Sequence, residues 1–178
     1  MNKVFLYFLR KNSIIFGNLP YNVSSQILVK MIKFDKWPPK FSVMIFMFQK
    51  ELANRILANY DTKEYGRLSI LANYKLNIKK IFNVSPNSFF PKPKINSTIL
   101  IFKPKKNFLN NIKKLENLET ITNIFFSKKR KKINKTIQNI FKNFQNESII
   151  KNLDLNSRPS DLKPEKYYKL TELYEKII

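Results

Sequence analysis

The sequence predicts an α/β fold followed by a small all-helical domain. Up to residue 104, short apolar runs alternate with segments of helical periodicity, the pattern of a sheet covered by helices. From residue 105 onward, apolar residues recur only at helical spacing. Hydrophobic residues make up 43% of the 178 residues, enough to build a core. We therefore predict a sheet-containing domain at 1–104 and a helical domain at 105–178.

The first predicted strand leads into a short polar loop. Ser13 to Phe16 is an apolar run that ends at Gly17, and the loop Asn18 to Tyr21 follows it. We expect Ser24 or Ser25 to cap the next helix, because serine side chains accept hydrogen bonds from free amides at a helix start. The apolar face of that helix comprises Ile27, Leu28, Met31 and Ile32.

A second, longer apolar run predicts the central strand. Phe41 to Phe48 is almost continuously apolar, so we expect both of its faces to be covered. Residues 49–59 have the periodicity of a helix. Residues 69–74 fit either the end of a helix or the start of a strand, and the sequence does not decide between them.

The last two strands are predicted to pair as a hairpin. Lys75 to Asn83 alternates between apolar and polar residues, which indicates a strand with one covered face. Ser97 to Phe102 is the second strand. Between them stand Pro86, Pro91 and Pro93, and proline removes backbone donors, so we expect an irregular loop.

Three apolar series of helical spacing fill the helical domain. They are Leu115, Leu118, Thr122 and Phe125; Ile133, Ile137, Ile140, Phe141 and Phe144; and Tyr167, Leu170, Tyr174 and Ile177. Pro164 suits the first turn of the last helix.

The charge of the chain indicates an anionic partner. The chain has 34 Lys and Arg residues against 12 Asp and Glu residues, a net charge of +22. Part of the lysine excess also fits the residue usage of AT-rich codons. However, eleven basic residues and no carboxylate lie between Glu64 and Glu116. A solvated surface usually mixes both signs, so we predict nucleic-acid binding.

The composition excludes several classes of site. The chain has no Cys and no His, which excludes zinc fingers, thiol chemistry and histidine-based triads, and we predict no metal site. Phe41 to Phe48 is too short to span a bilayer, and Val4 to Leu9 is too short for a signal-peptide core. We expect a cytoplasmic monomer without membrane association.

The loop Asn18-Leu19-Pro20-Tyr21 suits methylation of an exocyclic amine. It follows a strand at its carboxyl end, where open α/β sheets bind ligands. The Asn18 side-chain oxygen and the Leu19 carbonyl could hold an adenine amine with its lone pair toward a methyl donor. The Tyr21 ring offers a stacking surface for an unstacked base. The alternative is that Asn-x-Pro forms a simple turn.

Five blocks in order resemble one enzyme family. They are Phe16 to Ser24, Phe48 to Glu51 with Arg55, Tyr65 to Ser69, Phe89 to Lys94 with Ser97, and Phe126 to Ile133. Together they resemble the ribosomal RNA adenine dimethyltransferases of the small subunit, known as KsgA in bacteria. The resemblance implies a Rossmann-like methyltransferase sheet whose first strands are missing. It also implies an rRNA-binding role for the helical domain.

The resemblance assigns roles to individual residues. Asn18, Leu19, Pro20 and Tyr21 match the catalytic loop, with Asn18 also contacting S-adenosylmethionine, and Phe89 matches the aromatic on the other face of the flipped adenine. The alternative for Phe89 is a core aromatic. Asn96 replaces the usual acidic residue before Ser97. The residues implied in RNA binding are Lys92, Lys94, Lys128, Lys129, Arg130, Lys131 and Lys132, the last five as a basic helix whose alternative is a solvated helix face.

The implied reaction is dimethylation of two adjacent adenines of small-subunit rRNA, with the immature small ribosomal subunit as partner. One alternative is a catalytically inactive RNA-binding protein. Another is a large-subunit rRNA methyltransferase of the antibiotic-resistance type. Leu19 counts against a DNA adenine methyltransferase, because those enzymes usually carry Pro-Pro-Tyr.

The chain departs from the family pattern in its donor site. Gly17 and Gly66 are its only glycines, so it has no Gly-x-Gly turn, and no Asp or Glu precedes Gly17. Roughly the first hundred residues of the family pattern have no counterpart. We therefore expect an open apolar sheet edge, weak donor binding, and no methylation by this chain alone.

Overall fold

The computed structural model describes residues 9–34, 36–106 and 112–178. Most of the apolar run Val4 to Leu9 lies outside these residues. The strands are β1 (Ser13–Asn18), β2 (Phe41–Gln49), β3 (Leu76–Val84) and β4 (Ser97–Pro104). The helices are α1 (Ser24–Ile32), α2 (Lys50–Leu57), α3 (Arg67–Lys75), α4 (Leu115–Ser127), α5 (Asn134–Ile140), α6 (Ser148–Lys151) and α7 (Pro164–Tyr174). Short 3-10 turns lie at Pro86–Ser88, Lys142–Phe144 and Pro159–Asp161.

The four strands form one mixed sheet in the order β1-β2-β4-β3. β1 and β2 are parallel, and β4 is antiparallel to both of its neighbours. The α/β prediction, the central position of β2 and the predicted hairpin of the last two strands are therefore confirmed. No helix in the described ranges is long and apolar enough to cross a membrane.

The two faces of the sheet differ in burial. In β2, Met44, Phe46 and Phe48 are buried, whereas Val43 and Ile45 on the other face are only half-buried. The prediction that both faces of this strand are covered is therefore wrong for the second face. In β3, which the sequence predicts to have one covered face, the apolar residues Ile81 and Phe82 are exposed, because the register shifts between Lys80 and Phe82. A β-bulge of this kind changes the direction in which later side chains point.

Two local predictions are corrected or resolved at helix starts. α1 begins after Val23, and neither Ser24 nor Ser25 caps it; the Ser24 hydroxyl instead donates to the Tyr21 carbonyl at 3.1 Å. The ambiguous stretch 69–74 is helical and belongs to α3. Its start is ordered by Ser69, whose hydroxyl donates to the Gly66 carbonyl and accepts from the Gly66 amide.

The chain divides into two compact units. The first comprises residues 1–57 and 75–108, and the second comprises residues 58–74 and 109–178. The segment 58–74 thus groups with the helical unit, although the sequence analysis assigned it to the sheet-containing domain. That grouping rests on long-range contacts, because Tyr65 donates its hydroxyl hydrogen to the Leu162 carbonyl at 3.0 Å.

Buried tyrosines dominate the core of the helical unit. Tyr65, Tyr167 and Tyr168 are each at most 5% exposed. Each hydroxyl donates to a backbone carbonyl: Tyr65 to Leu162, Tyr167 to Pro159 at 2.6 Å, and Tyr168 to Ile70 at 3.1 Å. These bonds satisfy buried polar groups and link segments that are distant in sequence.

Gly17 in β1 is required by close packing. A Cβ atom at this position would lie 2.8 Å from Cδ1 of Phe46 and 2.9 Å from Cδ2 of Leu19. Gly17 faces Phe46 across the β1–β2 pairing, and Phe46 is 1% exposed, so its ring has little room to move. At Gly66, the other glycine, the nearest atom to a built Cβ is Phe126 Cε1 at 4.0 Å.

We expect Gly17→Ala to lower the free energy of unfolding by about 1–3 kcal/mol, because the added methyl group overpacks the site. Gly66→Ala is the matched control and is expected to change it by less than about 1 kcal/mol. Urea denaturation followed by circular dichroism measures both. Equal effects of the two substitutions would contradict the packing role of Gly17.

A buried carboxylate holds the start of α4 against the end of the chain. Glu175 is 7% exposed and accepts hydrogen bonds from the Lys113 amide at 2.8 Å, the Lys114 amide at 3.1 Å and the Asn117 side chain at 2.8 Å. Burial alone would raise the pKa of Glu175, but these hydrogen bonds and the nearby Lys113 charge lower it overall. Glu175 thus accepts hydrogen bonds from backbone amides at the start of α4, although it is distant from them in sequence.

We expect Glu175→Gln to destabilise the helical unit at pH 7 by about 1–3 kcal/mol, because a charged acceptor is lost. A lowered folded-state pKa means that the stabilisation is present above the ordinary value of 4.5 and is lost as pH falls through the folded value. The difference between Glu175→Gln and wild type should therefore shrink in acid. Exposed Glu64→Gln is the control. A difference that is constant from pH 7 to pH 3 would exclude this role.

Candidate functional site

The candidate site lies at the carboxyl ends of β1 and β2, which meet at one edge of the sheet because the two strands are parallel. Asn18 is the last residue of β1 and pairs with Met47 of β2. Its side chain is exposed. The structure therefore places the predicted catalytic loop where open α/β sheets bind ligands.

The loop is fixed on both sides of Pro20. The Val23 amide donates to the Pro20 carbonyl at 3.1 Å, which closes a turn. The Tyr21 hydroxyl and the Ser97 hydroxyl share a hydrogen bond of 2.7 Å. Ser97 is fully buried at the start of β4, so it is a rigid anchor. The half-buried Tyr21 ring is thereby held in one orientation.

Sequence reasoning missed the link between Tyr21 and Ser97. These residues are 76 positions apart, and no local pattern pairs them. Ser97 stood out only as part of the proline-rich block. The predicted β3–β4 hairpin could have indicated the position of Ser97. In an antiparallel hairpin the start of β4 lies beside the end of β3, so Ser97 lies beside Val84.

The loop that carries Phe89 begins and ends beside this anchor. Val84, the last residue of β3, pairs with Ser97. The Lys50 amide donates to the Asn96 carbonyl at 3.0 Å and fixes the far end of the loop. Phe89 is half-buried at the end of the 3-10 turn, whereas Phe90 is fully exposed. The base of the loop is thus brought to Tyr21, while stacking by Phe89 stays a prediction.

Two of the predicted RNA-binding lysines lie on the same loop. Lys92 and Lys94 are both exposed. Asn96 is also exposed, and the loop contains no carboxylate to oppose the two lysines. The loop is therefore a positively charged segment that follows directly from the strand end at Val84.

The basic run Lys128 to Lys132 is not helical, contrary to the prediction. α4 ends at Ser127, and the run forms the turn between α4 and α5. The Lys129 ammonium donates to the carbonyls of Lys63 and Tyr65, both at 2.8 Å. Cations are favourable after a helix end because the last carbonyls carry partial negative charge.

The run therefore contains side chains of two kinds. Lys129 is half-buried and fixes the backbone at Lys63 and Tyr65. Lys132 is also exposed, but its ammonium donates to the Asn156 side chain at 2.9 Å. Lys128, Arg130 and Lys131 are exposed. The charged groups of Lys128, Arg130 and Lys131 are therefore accessible to the phosphates of a nucleic acid.

Acidic side chains do not gather into a metal site in the described part of the chain, where no group of three or more potential ligands lies close together. The Asn18–Tyr21 loop itself offers amide, hydroxyl and backbone oxygens, which can form hydrogen bonds with a base.

Sequence comparisons identify relatives over nearly the whole chain. The family described as "Ribosomal RNA adenine dimethylase" matches residues 7–176. The ribosomal RNA small subunit methyltransferase A of Pelagibacter ubique is 47% identical over 161 residues, which are 90% of this chain and 61% of the relative. That of Malacoplasma penetrans is 38% identical over 158 residues, 88% of this chain and 56% of the relative.

Solved structures share the fold. A dimethyladenosine transferase from Plasmodium falciparum superposes with a TM-score of 0.75 at 28% identity, over 94% of this chain and 68% of that one. The 23S rRNA methyltransferase ErmE superposes with a TM-score of 0.65 at 19% identity, over 96% of this chain and 69% of that one. The prediction of a Rossmann-like methyltransferase sheet is thereby confirmed.

The chain spans about three-fifths of the length of these two relatives. The family match over residues 7–176 includes the sheet, the Asn18–Tyr21 loop and the helical unit. The chain therefore belongs to the ribosomal RNA adenine dimethylase family.

Proposed function

We propose that the chain carries the adenine-binding part of an S-adenosylmethionine-dependent methyltransferase that dimethylates two adjacent adenines of small-subunit rRNA. The observation that carries the proposal is the turn at the end of β1, which Gly17 packing and the Tyr21–Ser97 hydrogen bond hold rigid. Family membership supplies the reaction, and the turn supplies the groups that the reaction needs.

The turn can orient a poor nucleophile. The lone pair of an adenine amine is delocalised into the ring, so reaction requires the amine to be held in a favourable geometry. The Asn18 oxygen and the Leu19 carbonyl would accept hydrogen bonds from the amine and stabilise the positive charge that develops on it. Pro20 has no amide hydrogen to compete for those acceptors. The Tyr21 ring would stack on the base, and the Ser97 anchor would keep the ring in place.

The residues of this chain fit only part of a donor site. When bound, S-adenosylmethionine supplies an electrophilic methyl group. Asn18, exposed at the carboxyl end of β1, is the residue that would contact it from this chain. The chain has no Gly-x-Gly turn to approach the donor closely. We therefore propose that the chain holds the target base and needs further residues for strong donor binding.

Exposed cations would position the RNA. We propose that Lys92 and Lys94 in the sheet-containing unit, and Lys128, Arg130 and Lys131 in the helical unit, contact phosphates of an immature small ribosomal subunit. Phosphate contacts fix register but do not read sequence. Lys129 and Lys132 act mainly within the protein through their hydrogen bonds. Such an enzyme would work as a monomer in the cytoplasm.

The small-subunit reading is preferred over a large-subunit methyltransferase. Relatives named for the small subunit reach 47% identity, whereas the 23S rRNA methyltransferase ErmE is 19% identical and shares the fold alone. The Asn18–Tyr21 loop does not distinguish small-subunit from large-subunit methyltransferases, because both kinds of enzyme are expected to carry Asn-Leu-Pro-Tyr.

Base stacking on Tyr21 is testable without the methyl donor. The probe is a small-subunit rRNA oligonucleotide with 2-aminopurine, a fluorescent adenine analogue, at one target adenine. We expect wild type to change its fluorescence on binding, because the base leaves its stack. Tyr21→Ala should remove that change and weaken binding about fivefold to a hundredfold. Tyr21→Phe keeps the ring but loses the hydrogen bond to Ser97, so we expect a fluorescence change between those of wild type and Tyr21→Ala.

Two controls make this result specific. Circular dichroism establishes that each variant is folded, and Tyr60→Ala, which removes an exposed ring from the helical unit, should leave the fluorescence change intact. The same fluorescence change with Tyr21→Ala as with wild type would refute the proposed role of the loop.

Lys128, Arg130 and Lys131 should dominate the RNA affinity of the basic run. We expect the triple variant Lys128→Ala, Arg130→Ala, Lys131→Ala to lower the slope of log affinity against log salt by about 2–3. Lys169→Ala is the control, because Lys169 is exposed on α7 between Glu165 and Glu172. Fluorescence anisotropy from 50 to 300 mM salt measures the slope. An unchanged slope in the triple variant would exclude phosphate contact by this turn.

A further inference from the structure

Phe90 is the most exposed large hydrophobic side chain in the described part of the chain. It is fully exposed, whereas its neighbour Phe89 is half-buried. The backbone at Phe89 is extended, with φ −128° and ψ 148°. Successive side chains on an extended backbone point to opposite sides. The Phe90 ring is therefore available to a group other than the base proposed for Phe89.

The loop that carries Phe90, residues 85–96, begins and ends beside the candidate site. Val84 pairs with Ser97, whose hydroxyl shares a hydrogen bond of 2.7 Å with the Tyr21 hydroxyl. Phe90 follows Val84 by six positions, and six residues span at most about 20 Å. Nucleotides stacked in one strand are about 3.4 Å apart. Phe90 is therefore within reach of the nucleotides that flank a base held at Tyr21.

The backbone on both sides of Phe90 is restricted. The Phe89 amide donates to the Pro86 carbonyl at 3.2 Å, at the end of the 3-10 turn. Pro91 follows Phe90, and the proline ring fixes its own φ. A segment that is already ordered loses less conformational entropy when it binds a partner. The exposed Phe90 ring is therefore held in a way that suits binding.

The surroundings of Phe90 favour a nucleic acid over an apolar protein surface. Lys92 and Lys94 are exposed, and residues 85–96 include no Asp or Glu. Ile95 is the other large hydrophobic residue that is exposed on this loop. Sites for single-stranded nucleic acids combine aromatic rings, which stack on bases, with cations, which contact phosphates. A protein partner would be expected to use a larger contiguous apolar surface.

Stacking by Phe90 would offset part of the cost of extruding a base. A base that leaves its stack exposes one face of the base next to it. An aromatic side chain can cover that face and recover part of the lost stacking energy. We infer that Phe90 stacks on a nucleotide that flanks the target adenine in a single-stranded segment of RNA. The inference rests on the proposed function and assigns to Phe90 a different base from that proposed for Tyr21.

Fluorescence measured position by position tests the inference. In a small-subunit rRNA oligonucleotide, 2-aminopurine, which stacking quenches, replaces in turn the target adenine and about six nucleotides on either side. With the full 178-residue chain, we expect one flanking position to be less fluorescent in the wild-type complex than in the Phe90→Ala complex. Phe90→Ala should weaken binding about fivefold to a hundredfold. At saturating protein it should leave the fluorescence change at the target adenine intact.

Two further substitutions separate stacking from simple apolar contact. Phe90→Trp keeps an aromatic ring and should keep the quenching and the affinity of wild type. Phe90→Leu keeps an apolar side chain without a ring and should behave like Phe90→Ala. Ile95→Ala is the matched control, because it removes exposed apolar surface from the same loop, and it should leave quenching and affinity unchanged. Circular dichroism establishes that each variant is folded.

Three results would count against the stacking role of Phe90 and leave the proposed function intact. They are wild-type affinity in Phe90→Ala, wild-type behaviour of Phe90→Leu, and a signal change that Phe90→Ala causes at the target adenine alone. A flanking position that the Phe90 ring quenches, without any change at the target adenine, supports the inference and counts only against the proposed function. Failure of the wild-type chain to bind the oligonucleotide would overturn both.

Discussion

The hydrogen bond between Tyr21 and Ser97 is the constraint on which the candidate site depends. It ties a loop that follows β1 to the buried first residue of β4, and β4 is the strand that the proline-rich loop enters. Without this bond the Tyr21 ring would lose its anchor, and the two loops that we propose to hold one base would no longer share a fixed point. Gly17 completes the arrangement because it lets β1 approach Phe46 closely.

Positive charge in this protein serves two purposes, and only the structure separates them. Lys129 donates to two backbone carbonyls, and Lys132 donates to the side chain of Asn156. Lys128, Arg130 and Lys131 face solvent. The five side chains of the run are therefore not equally available to contact phosphates. The Glu175 carboxylate likewise has a structural role, because it accepts hydrogen bonds from backbone amides at the start of α4.

The two faces of the sheet differ in burial, and the candidate site lies on the less buried one. Met44, Phe46 and Phe48 form the core on one face, whereas Ile14, Phe16 and Asn18 on the other face are exposed. Asn18 is therefore accessible to the methyl donor that we propose it contacts.

Local sequence patterns were enough to predict the α/β class, the β3–β4 hairpin, the helical unit and the position of the Asn18–Tyr21 loop, because hydrophobic periodicity and proline placement are local properties. Features that depend on residues distant in sequence could not be predicted in this way. The tertiary structure turned Lys128 to Lys132 into a turn, exposed Ile81 and Phe82 through a bulge, and joined Tyr21 to Ser97 across 76 positions. Periodicity shows that a strand has an apolar face, but only the neighbouring elements decide whether that face is covered.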